Sequence, residues 1–327
     1  MRIAVTGSIA TDHLMVYPGR FADQLVDGHL ARVSLSFLAD TLEVRRGGVA
    51  ANIALGLGRL GLRPVLAGAV GTDFAEYRRW LEAHGVDTGL VHVSDTLHTA
   101  RFVCTTDTDQ NQIATFYAGA MAQARLIRLE TAARHADGLD LVVVGPNDPV
   151  AMLRHTDECR ALGVPFAADP SQQLARVGAE EARRLVDGAR YLFTNAYEAA
   201  LLRQRTGWTR EEILARVGTW IVTAGPDGVT VTGEGGPDLV VRAVPTARAQ
   251  DPTGVGDAFR AGFLAGAVWD WPPEDSARLG CALATVVLES VGTQEYELSA
   301  ADLLIRIEET YGTAAAARIR TRLSEVL

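Results

Sequence analysis

Apolar residues along the chain follow two rhythms. Short unbroken runs, at residues 2–6, 64–69, 139–144, 165–169, 191–195, 220–223 and 239–244, read as strands buried on both faces. Between them lie stretches with helical spacing: 49–60 closing at Gly61, 74–81 with Phe74, Tyr77, Trp80 and Leu81, 148–162, the segments after Asn195 and Asp257, 273–290 and 299–326. A different rhythm, apolar and polar in alternation, marks 32–37, 41–45, 99–105 and 111–117. Such strands keep one face in solvent, so they predict a small separate sheet formed by an excursion near 13–45 and a hairpin near 99–117. The rest alternates strand with helix and predicts an α/β architecture with parallel-sheet character. No internal repeat, long linker or low-complexity tract interrupts the 327 residues.

Composition narrows the chemistry. A formal charge of −9 argues against a nucleic-acid partner, and no apolar run is long enough to predict a membrane span. Cys104, Cys159 and Cys281 are scattered without a CxxC pair, and the start turns polar too soon for a signal peptide. A cytoplasmic location with reduced, inert thiols is the expectation. The sequence has no lysine; all 31 basic residues are arginine. That excludes a Schiff-base lysine, a Walker P-loop and the strand lysine of protein kinases. Any phosphate chemistry must use backbone amides, a metal and arginines.

The candidate for such chemistry is Asp251-Pro-Thr-Gly-Val-Gly-Asp257, a Gly-rich turn opening a helix. First-turn amides lack intrahelical partners and can gather on an anion. A carboxylate, Asp257, sits among them, which suits a base that deprotonates a hydroxyl while Gly254, Val255 and Gly256 stabilise the transferred group. An acidic first turn favoured by the helix dipole is the plain alternative. Ser8 and Asp12 follow the first strand, where ligands of open parallel sheets bind; a turn-forming Asp competes as the explanation for Asp12. Gly47 and Gly48 permit close backbone approach to a ligand, and Asn52 offers a donor and an acceptor unless it serves as a local cap. Phe102 and Phe116 on the hairpin are placed to stack on a planar base or to pack the small sheet on the core. Asn195 and Glu198 have capping-box spacing, and equally the spacing of a polar pair near hydrated Mg²⁺.

Three motifs together resemble the ribokinase-like (PfkB) carbohydrate and nucleoside kinase family: Gly47-Gly48-x-x-x-Asn52-x-Ala54, Thr194-Asn195-x-x-Glu198 and Asp251-x-x-Gly254-x-Gly256-Asp257. They occur in family order across nearly the whole chain. Residues 7–15, 33–38, 99–102, 167–176 and 251–263 are, more narrowly, similar to actinobacterial adenosine kinases. The resemblance implies one domain over 1–327, a doubly wound, mostly parallel sheet flanked by helices, with a β-sheet lid from about 13–46 and 98–118. It implies that Ser8, Asp12, Gly48 and Asn52 hold ribose hydroxyls and that Ser36 comes from the lid, of the same or the partner subunit. Phe102 and Phe116 would sandwich the purine, with Met121 and Gln172 or Gln173 nearby. Asn195, Thr223, Gly225, Asp227, Gly228, Gly256 and Arg176 would contact ATP. Glu198 would arrange Mg²⁺ through water, and Asp251 and Thr253 lie where relatives bind K⁺.

The resulting expectation is ATP-dependent phosphorylation of the adenosine 5′-hydroxyl with Asp257 as base, by a homodimer joined through the lid. The alternatives are a ribokinase- or fructokinase-type sugar kinase, another nucleoside kinase, or a catalytically silent nucleoside sensor.

Overall fold

The computed structural model describes residues 1–25, 34–136 and 138–327. The chain opens with β1 (Ile3–Thr6), β2 (Ala10–Val16), β3 (Thr41–Gly47), α1 (Val49–Arg59), β4 (Val65–Ala67) and β5 (Ala69–Val70). Next come α2 (Ala75–Ala83), β6 (His92–Val93), β7 (Ala100–Thr106), β8 (Gln112–Tyr117) and α3 (Leu129–His135). A wound α/β run follows: β9 (Leu141–Val144), α4 (Pro149–Leu162), β10 (Phe166–Ala168), α5 (Ala179–Val186), β11 (Tyr191–Asn195), α6 (Ala196–Thr206), α7 (Arg210–Leu214) and β12 (Thr219–Thr223). The chain closes with β13 (Val229–Gly233), β14 (Asp238–Val241), α8 (Val255–Val268), α9 (Pro273–Leu288), α10 (Ala300–Tyr311) and α11 (Thr313–Val326).

Eight strands form the main sheet in the order β14-β13-β12-β11-β10-β9-β1-β4. All pairs are parallel except those of β12 with β13 and β13 with β14. The unbroken apolar runs are explained by burial on both faces. Ile3, Val5, Val143, Phe193 and Ile221 pack one way with α1, α8 and α9. Ala4, Val142, Val144, Leu192 and Trp220 pack the other way with α4, α5 and α6. Helix α8 lies at the centre of the first face. A Cβ on Gly262 would come within 2.7 Å of Gly280 Cα on α9, so only glycine allows this approach.

From β1 the chain moves out to β4, and from β9 it moves the opposite way toward β12. The β1/β9 boundary is therefore a switch point, where open sheets bind ligands beyond their strand ends. The second sheet, in the order β3-β2-β7-β8, hangs over this end. Its base is anchored by Asp73, whose carboxylate accepts from the Thr99 amide and hydroxyl and from Arg101, at 2.9, 2.6 and 2.7 Å.

Several expectations change. The lid begins at Ala10, so Asp12 lies in a strand rather than in a turn after β1. Residues 34–37, expected as part of a strand at 32–37, are not one; 32 and 33 fall outside the described residues. The expected strand 64–69 is split at Gly68: β4 joins the main sheet and β5 pairs with β6. The expected helix 299–326 is two helices, broken at Gly312, whose φ of 90° no helix interior accepts.

Candidate active site

The site is built at the first turn of α8. Gly254 caps it in the left-handed region, φ 77°, which exposes the following amides beyond the sheet. The Val255 amide turns toward the Pro252 carbonyl at 3.4 Å, so Gly256 and its neighbours are the amides better placed for an anion. Asp257 stands in the same turn and accepts a hydrogen bond from Asn52 Nδ2 at 2.8 Å. Burial pushes its carboxyl up to about 7. The Asn52 hydrogen bond and the Arg260 guanidinium oppose that rise, and Asp169 and Glu198 add to it. A carboxylate with that affinity is poised to take a proton near neutrality.

Asn52 is no local cap. Its Oδ1 accepts from Thr293 Oγ1 at 3.0 Å and from Gln294 Nε2 at 2.8 Å, and its Nδ2 reaches Asp257. The acceptor expected for a ligand is therefore occupied, and one amide hydrogen is left to offer.

Asp12 projects from the face of the lid sheet that carries a continuous cross-strand row: Arg45, Asp12, Phe102, Phe116. Residues in register share a face, so the carboxylate and both aromatics look the same way. Phe102 and Phe116 are register partners that stand side by side on this face rather than as two opposed walls. Burial raises Asp12 to about 6, opposed by Arg45 and reinforced by Asp251 and Glu295. Met121 lies buried beneath, in a cluster with Ala10 and Ala100. Ser36 is exposed in the loop before β3.

Two glycines are explained by packing. A Cβ on Gly48 (φ 97°) would lie 2.6 Å from the Ala10 nitrogen, and one on Gly228 would lie 2.2 Å from the Val241 carbonyl oxygen. The close approach at Gly48 is to the chain's own backbone. Ser8 has a structural task as well: its Oγ accepts from the Val49 amide at 3.0 Å and holds the start of α1.

On the other side of α8, Asn195 and Thr223 end neighbouring strands and are register partners. Asn195, Gly225 and Asp227 are exposed, as are Arg176 and Gln172. The capping box is formed: Asn195 Oδ1 accepts from the Glu198 amide at 2.8 Å, and Glu198 Oε2 accepts from the Asn195 amide at 2.7 Å. Glu198 nonetheless points its second oxygen toward Ser171 Oγ, 3.3 Å away. Burial raises its affinity for a proton, opposed by the Asn195 amide and reinforced by Asp169. Asp169, Glu198 and Asp257 thus share one cation, Arg260, and the surplus negative charge fits a divalent ion. Among the described residues no group of three or more His, Cys, Asp or Glu is placed to hold a metal ion. Asp251 accepts from the Thr253 and Gly292 amides at 2.9 and 3.0 Å, folding the loop where K⁺ is expected.

Several residues were not singled out from the sequence. Arg260 pairs with Asp169 at 2.6 Å, both buried, and its Nη1 donates to the Gly256 carbonyl at 3.0 Å, bracing the glycine turn. A lone arginine inside the apolar run 258–266 was the available signal. Asn147 is buried after β9 with Nδ2 unpartnered, and the buried Gln173 has Oε1 unpartnered.

This arrangement has known counterparts. The pfkB family carbohydrate kinase model matches residues 6–300. The chain belongs to that family. Membership implies ATP as phosphoryl donor and Mg²⁺ with it. The nucleoside kinase of Methanothermobacter thermautotrophicus is 34% identical over 255 residues, 76% of this chain and 80% of that protein. The Burkholderia thailandensis nucleoside kinase, solved in complex with inosine, is 35% identical with a TM-score of 0.82, covering 95% of this chain and 98% of that one. The Methanocaldococcus jannaschii nucleoside kinase, an archaeal member of the ribokinase family, is 25% identical with a TM-score of 0.83, over 94% and 99%. The fold is thus ribokinase-like, and the likeness these relatives show is to nucleoside kinases, not specifically to the actinobacterial adenosine kinases expected from the sequence. No helix among the described residues is long and apolar enough to cross a membrane.

Proposed function

We propose that this family member is a purine nucleoside kinase that transfers the ATP γ-phosphoryl group to the 5′-hydroxyl of adenosine, giving AMP and ADP. The observation that carries the reading is Asp257, held by Asn52 at the amide-rich start of α8, together with Asp12, which interacts with Asp251 of the loop before α8 and shares a sheet face with Phe102 and Phe116. An aromatic platform gives a base far more to stack on than a free sugar would use. Asp12, helped by Ser8, Gly48 and the remaining Asn52 hydrogen, holds the ribose so that its 5′-oxygen faces Asp257. Met121, Gln173 and the orphaned Asn147 amide surround the base, with Gln172 at the rim.

Asp257 accepts the hydroxyl proton, the 5′-oxygen bonds to the γ-phosphorus, and the β–γ bridging oxygen departs with ADP. The Gly254 and Gly256 amides stabilise the transferring group by position and charge, without a covalent intermediate. Mg²⁺, when bound, would neutralise phosphate charge, and Glu198 would hold its waters. Asn195, Thr223, Gly225, Asp227, Gly228 and Arg176 line the nucleotide side, and Asp251 and Thr253 are the candidates for K⁺. Lid closure excludes water as a competing acceptor.

The inosine-bound Burkholderia relative favours a second reading, a kinase of broader purine range. A panel of adenosine, inosine, guanosine, cytidine, ribose and fructose, read as kcat/KM, separates the two; ribose or fructose as best substrate overturns both. Asp257→Asn is expected to lower kcat by about a hundredfold or more while nucleoside still binds. Near-normal turnover would remove the base assignment, and binding without ADP formation in the unaltered protein would make it a sensor.

A further inference from the structure

Five groups form one buried hydrogen-bonded chain that begins at the lid and ends on Asp257. Tyr77 Oη donates to the Gly47 carbonyl at 2.9 Å, at the point where β3 leaves the lid. Gln294 Nε2 bonds Tyr77 Oη and, at 2.8 Å, Asn52 Oδ1. Asn52 Nδ2 then donates to Asp257. Tyr77, Asn52 and Gln294 are all at most 7% exposed.

The direction of donation along this chain is forced. A carbonyl only accepts, so the single Tyr77 hydrogen goes to Gly47. Tyr77 Oη can then only accept from Gln294, which turns the Gln294 NH₂ inward and leaves its Oε1 buried without a partner. The same NH₂ requires Asn52 to present oxygen, and the Asn52 NH₂ is thereby aimed at Asp257. Thr293 works in parallel. Its one hydroxyl hydrogen faces two acceptors, the Arg46 carbonyl at 2.9 Å and Asn52 Oδ1 at 3.0 Å.

We propose that Tyr77, Gln294 and Thr293 are positioning residues that fix the orientation of the Asn52 amide, and that they tie the state of the base to the end of lid strand β3. The inference rests on Asp257 being the base. An amide aimed nitrogen-first stabilises the ionised carboxylate; turned oxygen-first, it stabilises the protonated one. The charged and titratable groups around Asp257 are Arg260 on its own helix, Asp169 after β10, Glu198 on α6 and Tyr296 in the loop before α10, and none is altered by the changes below.

The test is the pH dependence of kcat/KM, with saturating Mg²⁺–ATP, for Tyr77→Phe, Gln294→Leu, Thr293→Val and Thr293→Ser, alongside Asp257→Asn. Tyr77→Phe and Gln294→Leu are expected to move the acid limb up by about one pH unit, costing about tenfold below it. Activity should recover toward the unaltered level at high pH. Thr293→Val should shift the limb in the same direction, and Thr293→Ser should restore it. A loss equal at every pH, or an unmoved limb in every variant that folds, overturns the proposal. If any variant fails to fold, the Thr293 pair decides alone, since Thr293→Val removes the hydroxyl at near-constant volume and Thr293→Ser keeps it. An active Asp257→Asn would instead remove the base assignment, so the two failures are distinguishable.

Discussion

Asp257 is kept where a carboxylate is poorly solvated, and that placement has a thermodynamic consequence. Its affinity for a proton is raised from 3.8 in the unfolded chain to about 7 in the folded one. Between those values the folded protein binds more protons than the unfolded chain, so stability falls as pH rises through that window. The penalty is absent below about pH 4 and complete above about pH 7. Asp257→Asn, besides losing turnover, is therefore expected to raise Tm at pH 8 and to lose that advantage by pH 4. A Tm difference that is constant with pH would show that burial does not set the base's affinity. The opposing residues Asn52 and Arg260 keep the site from neutralising Asp257 altogether. The sequence pattern located Asp257 and Asn52. It was silent on Thr293 and Gln294, because a threonine or glutamine in a loop carries no local mark of what it will touch.

Among the elements, α8 does most to place the base. Its packing on α9 depends on paired glycines, 262 and 280, and on α1 through Gly56, where an added Cβ would lie 2.6 Å from Ala261 Cβ. Gly262→Val forces the two helices apart, at a cost of about 1–3 kcal/mol for overpacking. It should lower Tm and reduce kcat more than it raises the KM for nucleoside, because α8 carries the catalytic turn and the acceptor pocket is built elsewhere. An unchanged kcat with a lowered Tm would mean that the turn is positioned independently of its helix. Helix α6 gives a second lesson. The capping-box spacing of Asn195 and Glu198 was legible, and the box is formed. The extra oxygen of Glu198, turned toward Ser171 beside Asp169, was not legible, since it depends on which strand end lies next to β11.

For the whole molecule, the lid sheet has two faces of different character. The face with Asp12, Phe102 and Phe116 also carries Arg45, and on it Asp12 interacts with Asp251 and Glu295. Opposite parity puts Leu42, Val44, Ile113 and Tyr117 on the other face, exposed by 60, 57, 45 and 41%. An apolar sheet face with open strands calls for a cover, and a second lid supplies a matching one. A homodimer is expected in light scattering, and Val44→Glu should shift it toward monomer. A monomer at every concentration for the unaltered chain would remove the dimer. The mutual position of lid and main sheet also rests on Asp73 and on the Tyr77–Gly47 contact, neither of which a motif search would select.

The sequence by itself determined the strands and helices of the sheet, because burial on both faces and helical spacing leave their periods in the order of residues. It determined the three motifs and, through the missing lysines, which phosphate-binding devices are absent. Tertiary structure decided which of these residues meet. Asn52 and Asp257 are 205 positions apart, and Asn52 and Gln294 are 242 apart. Such pairings come from the crossing of α1, α8 and the loop before α10 at the sheet's end. Local periodicity holds no record of that crossing, so it could not show that Asn52 meets the motif carboxylate or that Gln294 meets Asn52.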